Sequence, residues 1–399
     1  MIPVRFAQRM QEIEPFSVME VLERARQLEK AGRRIVHMEI GQPDFAAPQI
    51  VIDAAIKAMR ERTLGYTPAL GLMELREAIA GYYLQHHGLN IPPSRIAVTT
   101  GSSAALLLAL CALVGPGDEV LMPDPCYPCS RHLVRLTEAR PIAIPTDETT
   151  AYQPTADMVV AAWRPSTRGI LLASPSNPAG TIVEPGELQA ICELSGHRGG
   201  FTIVDEIYSG LLYEGKAASA LCRNPDAIVV SGFSKYFCMT GWRLGWLVAP
   251  EALIREVEKL AQNLYVSPPA AAQYAALAAF HPESLAVLET RRLEFRERRN
   301  FLFDALRSLG FGIPVLPQGA FYLYADCARF AAQSNALAGQ MLEQAGVAVA
   351  PGKDFGEHQA HRYLRFAYTR SRGELEEGVE RLARMPVVRS ALDRSGNTS

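Results

Sequence analysis

No stretch of the 399-residue sequence is apolar for long enough to cross a bilayer. The longest such run, AALLLALCALVG at 104–115, falls far short of the ~20 residues that a helical span needs, and it predicts a buried helix. An excess of one charge is missing too. Forty Lys and Arg against 42 Asp and Glu leave a net charge of −2, so neither nucleic acid nor an anionic membrane surface is an expected partner. The N-terminus, MIPVRFAQRM, lacks the apolar core of a secretory leader. The seven cysteines, an odd number without framework spacing, argue against a disulfide scaffold and for a reducing, cytoplasmic setting. Cys126 and Cys129 form one C-x-x-C, but it lies in the proline-rich PDPCYPCS without a second pair, so no metal site is expected. The hydrolase signatures G-x-S-x-G and H-E-x-x-H are absent, and His358-x-x-His361 has no matching carboxylate helix.

What remains is a globular composition, 48% hydrophobic and 21% charged, in a chain too long for one ordinary core. FSVMEVLERARQLEKAGRR (16–34) reads as an amphipathic helix ended by Gly32. From about residue 48, helical stretches alternate with short apolar strands: RIAVTT, EVLM, RPIAIP, GILLAS, FTIVD, DAIVV and RLGWLVA. That alternation predicts an α/β fold with a mostly parallel, helix-covered sheet. The charge-rich RRLEFRERRN (291–300) reads as a solvated helix face leading into a second, smaller α/β unit built from GAFYLYAD, GVAVAP and YLRFAY. The expected division is an N-terminal arm (1–45) contributing to the small domain, a large domain (46–280), a small C-terminal domain (281–385) and a flexible tail (386–399).

In open α/β sheets, ligands collect beyond the carboxyl ends of the strands. Residues at those positions are Ser102 and Ser103, Tyr127, Asn177, Asp205 and Tyr208, Lys235 and Arg243. TTGSSAALLLAL runs from strand through glycine into a helix, a start whose amides favour an anion, although the serines would also serve as plain caps. Asp205 closes a very apolar strand, where a carboxylate is costly unless a cation pairs with it. Asn177 stands between two prolines. Lys235 lies among small and aromatic residues in SGFSKYFCMTGWRLG, an unusual place for a solvated amine. Phosphate donors, a carboxylate, an amide, a tyrosine and a packed lysine together suit pyridoxal 5′-phosphate.

The ordered set GQPDF, GYTPALGLMELREAIA, SPSNPAGT, VDEIY, SKYFCMTGWRLG and YLRFAY resembles the class I/II pyridoxal-phosphate aminotransferases of fold type I, over about residues 16–385. The resemblance implies a homodimer with shared active sites that moves the amino group of an L-amino acid to a 2-oxo acid such as 2-oxoglutarate or pyruvate. It makes residues 46–280 the cofactor-binding domain and Lys235 the Schiff-base lysine. Asp205 would face the pyridine nitrogen, Asn177 and Tyr208 the ring oxygen, and Tyr127 the ring face. Ser102, Ser103, Ala104, Ser234 and Arg243 would hold the phosphate, joined by Tyr66 from the other subunit. Arg365, with the backbone of Gly41 and with Asn177, would bind the substrate carboxylate, and neighbouring Arg362 and Arg370 read as surface charges. Two positions depart from the family. Gly232 stands where relatives often carry serine, leaving Ser231 or Ser234 to supply that hydroxyl, and Ala367 also replaces a frequent serine. These residues do not separate amino transfer from a carbon–sulfur β-lyase on the same fold. With GQPDF beginning at residue 41, a DNA-binding domain ahead of the fold is not expected. No basic residue follows GSSAA in its helix, which leans toward neutral or aromatic donors.

Overall fold

The computed structural model describes residues 4–215 and 218–396. Its strands, in chain order, are β1 (Val36–His37), β2 (Ile96–Thr99), β3 (Glu119–Asp124), β4 (Arg140–Pro145), β5 (Thr167–Ala173) and β6 (Phe201–Asp205). They continue with β7 (Ile228–Gly232), β8 (Gly245–Val248), β9 (Tyr322–Asp326), β10 (Val347–Ala348), β11 (Ala350–Pro351) and β12 (Tyr363–Ala367). Seven of them form one sheet in the order β2-β8-β7-β6-β5-β3-β4. Within it β8 alone runs against its neighbours, pairing antiparallel with both β2 and β7. Helices cover the sheet, so its inner strands are buried on both faces and read as unbroken apolar runs. The edge strand β4 is the exception, half exposed and bounded by Arg140, Pro141 and Pro145, residues that discourage further pairing.

A three-stranded antiparallel sheet, β11-β12-β9, and the parallel pair β1-β10 make up the rest. The pair joins the N-terminal segment to the C-terminal part of the chain, with Val36 opposite Val347. The amphipathic N-terminal helix spans Ser17–Lys30 and buries Leu22, Ala25 and Leu28.

Two expectations are corrected. The charged run at 291–300 belongs to a 27-residue helix, Pro282–Ser308, and is only partly solvated. Arg298 and Arg299 are buried, because Arg298 is paired with Asp44 (2.9 Å) and Arg299 with Glu214 (2.7 Å) and the Pro317 carbonyl. Both guanidinium groups thus have carboxylate partners, while Phe295 on the same helix packs against Phe45 and Phe321. The tail is not flexible throughout. Residues Pro386–Gly396 form a helix that buries Val388 and Ala391, and residues 397–399 lie outside the described part.

The sheet turns back on itself at a tight spot. Gly232 of β7 pairs with Gly245 of β8, and a Cβ on Gly245 would lie 2.5 Å from the Ser102 amide nitrogen. Gly245 therefore lets the loop after β2 approach the strand ends, and a serine side chain at 232 would press on the Gly245 backbone, 3.0 Å from the position of its Cβ. Trp246 anchors β8 below this point. It packs edge-on against Phe233 and donates its indole N–H to the Tyr83 hydroxyl at 3.2 Å. Trp246→Ala is expected to destabilise the fold by about 3–5 kcal/mol, and Trp246→Phe by less, in urea unfolding.

Candidate active site

Because six strands of the large sheet run the same way, the loops after β2, β3, β5, β6 and β7 emerge along one edge. They enclose a cavity of about 240 Å³. Gly41, Ser102, Ser103, Tyr127, Asn177, Asp205, Tyr208, Ser234, Lys235, Arg243 and Arg365 all line it. The reversed strand β8 explains the presence of Arg243, since its amino end lies where the other strands finish.

Lys235 reaches the cavity from the loop after β7 and donates to the Gly41 carbonyl at 2.8 Å. Burial pushes its amine down to about 8, helped by the Arg365 and Arg243 charges and opposed by Asp205. Asp205 ends β6 and accepts the Ile207 N–H through Oδ1 at 3.0 Å, while Oδ2 accepts no hydrogen bond from the described residues. Burial pushes its carboxyl up to about 6, against the pull of that N–H and of Lys235. A carboxylate so placed is completed by a cationic or N–H partner.

At the opposite end of the cavity, Gly101 adopts φ +92° before the helix Ser102–Leu113. A Cβ there would lie 2.7 Å from Arg243 Nη2. Helix start, two serines and a guanidinium thus converge on a cradle suited to a phosphate. Arg243 itself holds φ +53° and donates to the Thr240 carbonyl at 3.1 Å. Ser234 lines the cavity, whereas Ser231 turns its hydroxyl to the Glu206 carbonyl at 3.4 Å.

Arg365, in β12, donates Nη1 to Asn177 Oδ1 at 2.9 Å and Nη2 to the Glu39 carbonyl. Its guanidinium lies over the rings of Tyr322 (4.2 Å) and Phe355 (4.7 Å), and its buried Nε has no partner among the described residues. Arg362 instead pairs with Asp326, and Arg370 lines a neighbouring hollow.

Two candidates are not brought into this cavity. The Ala104 N–H is used within its own helix start, bonded to the Gly101 carbonyl at 3.1 Å, and its methyl does not reach the cavity. Tyr66 is 85% exposed and stands away from the cavity of its own chain. Residues that sequence reasoning missed include Tyr322, whose hydroxyl is 2.8 Å from that of Tyr208, together with Asp354, Phe355 and the Phe16–Met19 turn. GAFYLYAD reads only as an apolar strand, and Asp354 lies more than 300 residues from the helix it meets, so neither carried a local signal.

A helix-covered sheet whose strand ends gather a lysine, a carboxylate and an anion cradle defines fold type I of the pyridoxal-phosphate-dependent transferases. The chain belongs to the class I and II aminotransferases, whose family model matches residues 33–382. The valine–pyruvate aminotransferase of Mycobacterium tuberculosis is 40% identical over 375 residues, 93% of this chain and 96% of that protein. The (5-formylfuran-3-yl)methyl phosphate transaminase of Methanocaldococcus jannaschii is 35% identical over 379 residues, 94% of this chain and 98% of that protein. The solved aspartate aminotransferase of Thermus thermophilus with maleate superposes with a TM-score of 0.91 at 33% identity, covering 96% and 100% of the two chains. The protein is an aminotransferase acting between an amino acid and a 2-oxo acid, and the β-lyase alternative is not favoured. No described helix is long and apolar enough to cross a membrane.

Lysine reactivity supplies a direct check of the site's electrostatics. Only the neutral amine reacts with formaldehyde, and the Lys235 amine loses its proton as pH rises through about 8. Reductive methylation of cofactor-free protein should therefore reach half-maximal rate at Lys235 near pH 8, read by peptide mass.

Proposed function

We propose that this aminotransferase binds pyridoxal 5′-phosphate covalently at Lys235 and transfers amino groups from L-amino acids to 2-oxoglutarate or pyruvate. The observation that carries this reading is the half-buried Lys235 amine, pushed down to about 8, in one cavity with the partly unsatisfied Asp205. The bound cofactor would supply an electron sink that weakens a bond at the substrate's α-carbon.

Asp205 Oδ2 is the acceptor suited to the pyridinium N–H, and a cation there would pull its carboxyl back toward full ionisation. Asn177 spends its Oδ1 on Arg365, which leaves its NH₂ to donate to the ring oxygen alongside the Tyr208 hydroxyl. Tyr127 opens the helix Pro128–Leu136 and would cover the ring face, its hydroxyl accepting from Cys129 Sγ at 3.0 Å. Ser102, Ser103, Ser234 and Arg243 would hold the phosphate. Arg365 and the Gly41 backbone would grip the α-carboxylate and so orient the α-carbon bond that breaks. Lys235 Nζ, released when the substrate's amine takes its place and increasingly neutral as pH rises through about 8, would then be the base that takes the α-proton.

The names of the relatives reach from valine–pyruvate to aspartate/prephenate, so similarity alone does not choose the donor. The same reading includes a cytoplasmic protein divided into 46–280 and 281–385, with residues 1–45 as an arm, and a two-fold dimer in which Tyr66 reaches the phosphate of the neighbouring site. The exposure of Tyr66 supports that last assignment.

Borohydride reduction of the cofactor-loaded protein followed by peptide mapping should place the cofactor on Lys235, with none retained by Lys235→Ala. A tag on Lys259 would overturn the assignment. Shared sites make a separate prediction for mixed dimers of one Lys235→Ala and one Tyr66→Ala subunit. One site then has both residues intact, so activity should rise above that of either parent mutant. Heterodimers no better than the parents would return Tyr66 to its own chain.

A further inference from the structure

The N-terminal helix, Ser17–Lys30, begins without a side-chain cap from its own sequence, because the residue at that position is Phe16. Its first amides are instead taken by a residue more than 300 positions away. Asp354 Oδ1 accepts the Ser17 N–H at 2.8 Å and Oδ2 the Val18 N–H at 2.7 Å. Asp354 is buried, and its own carbonyl accepts from Arg131. A carboxylate spanning two free amides at a helix start combines two charge-assisted hydrogen bonds with a favourable alignment to the helix dipole.

What this clamp holds in place is one side of the cavity. Phe16, Val18 and Met19 line it from the first turn of the helix, and Ile40 and Phe355 line it as well. Val18 packs on the cluster that contains Phe355, whose ring lies under Arg365. Val18 and Phe355 therefore stand beside the arginine assigned to the α-carboxylate, and Phe16, Met19 and Ile40 line the same cavity. The cationic side chains lining the cavity are Lys235, Arg243 and Arg365, and each already has a task in the reading above.

We propose that Asp354 is a positioning residue that fixes the Phe16–Met19 turn as an apolar wall, and that this wall selects amino donors with neutral, apolar side chains. The inference rests on the aminotransferase reading and on Arg365 holding the α-carboxylate. Each methylene that a donor places against the wall is withdrawn from water, so the specificity constant rises with apolar side-chain size while the wall is held in place. Alanine is too short to profit from it.

The test uses the cofactor-loaded protein and compares kcat/KM for alanine, 2-aminobutyrate, leucine, phenylalanine and aspartate. The wild type should favour leucine or phenylalanine over alanine by on the order of tenfold or more, and aspartate should be the poorest donor. Asp354→Ala should reduce the leucine-to-alanine ratio by roughly tenfold, chiefly through KM, with Asp354→Asn intermediate because it keeps one acceptor. Phe16→Ala, which leaves the clamp intact, should flatten the same ratio without lowering the melting temperature. Limited proteolysis within residues 8–20 should quicken in Asp354→Ala and not in Phe16→Ala.

An equal loss for every donor in Asp354→Ala would make Asp354 a purely structural residue and overturn the proposal. So would a wild type that prefers aspartate, or an unchanged ratio in Phe16→Ala. A protein that takes up the cofactor at Lys235 yet yields no 2-oxo acid from any donor would sink the parent reading, a result distinct from a flat donor profile.

Discussion

Three successive carbonyls, those of Glu39, Ile40 and Gly41, link the large and small sheets across the cavity. They accept from Arg365, the Thr369 hydroxyl and the Lys235 amine, respectively. The lysine follows a strand of the large sheet and the arginine lies in the small one, so this short segment is bonded to both sides of the cavity. Nothing larger than glycine fits at its last position. A Cβ on Gly41 would come within 1.7 Å of the Tyr322 hydroxyl, which is itself bonded to Tyr208. The segment is also held from behind, where the fully buried Glu39 accepts from His37 at 2.7 Å and the Met38 carbonyl accepts the Ala367 amide.

The electrostatics of the cavity follow from that arrangement. Arg243 and Arg365 flank Lys235 and disfavour its charge, and burial acts in the same direction. Asp205 is also raised by burial, so the site holds an amine close to neutrality and a carboxyl that is easily protonated. Each is set to change state when an acceptor, a cation or an anion enters. The end formed by Gly101, Ser102 and Arg243 works differently. Its positive character comes from a helix start and a fixed guanidinium, neither of which changes charge, and glycine at 101 and 245 provides the room.

Much of this was legible in the residues because it follows from the strand pattern. A parallel sheet places the residue after each strand on one edge, so Asp205, Asn177, Tyr127, Ser102 and Lys235 stand out together in the sequence. The contact of the Ala104 amide with the Gly101 carbonyl had no signal in the residues, because it depends on how tightly the first turn of that helix closes. Arg298 and Arg299 were misjudged because their partners, Asp44 and Glu214, come from distant segments. A charged run looks the same in sequence whether water or a carboxylate meets it.

The sequence by itself determined the alternating architecture, the anion cradle and the order of the reactive residues, since all of these depend on local periodicity and on neighbours a few positions apart. Which serine faces the cavity, Ser234 and not Ser231, depended on the Glu206 carbonyl taking the Ser231 hydroxyl. Which arginine is free to face a substrate depended on Asp326 pairing with Arg362. The clamp of Asp354 on the N-terminal helix, and the apolar wall it holds, were decided by tertiary structure alone. A helix start can be completed by any carboxylate the fold delivers, and only packing determines which one arrives.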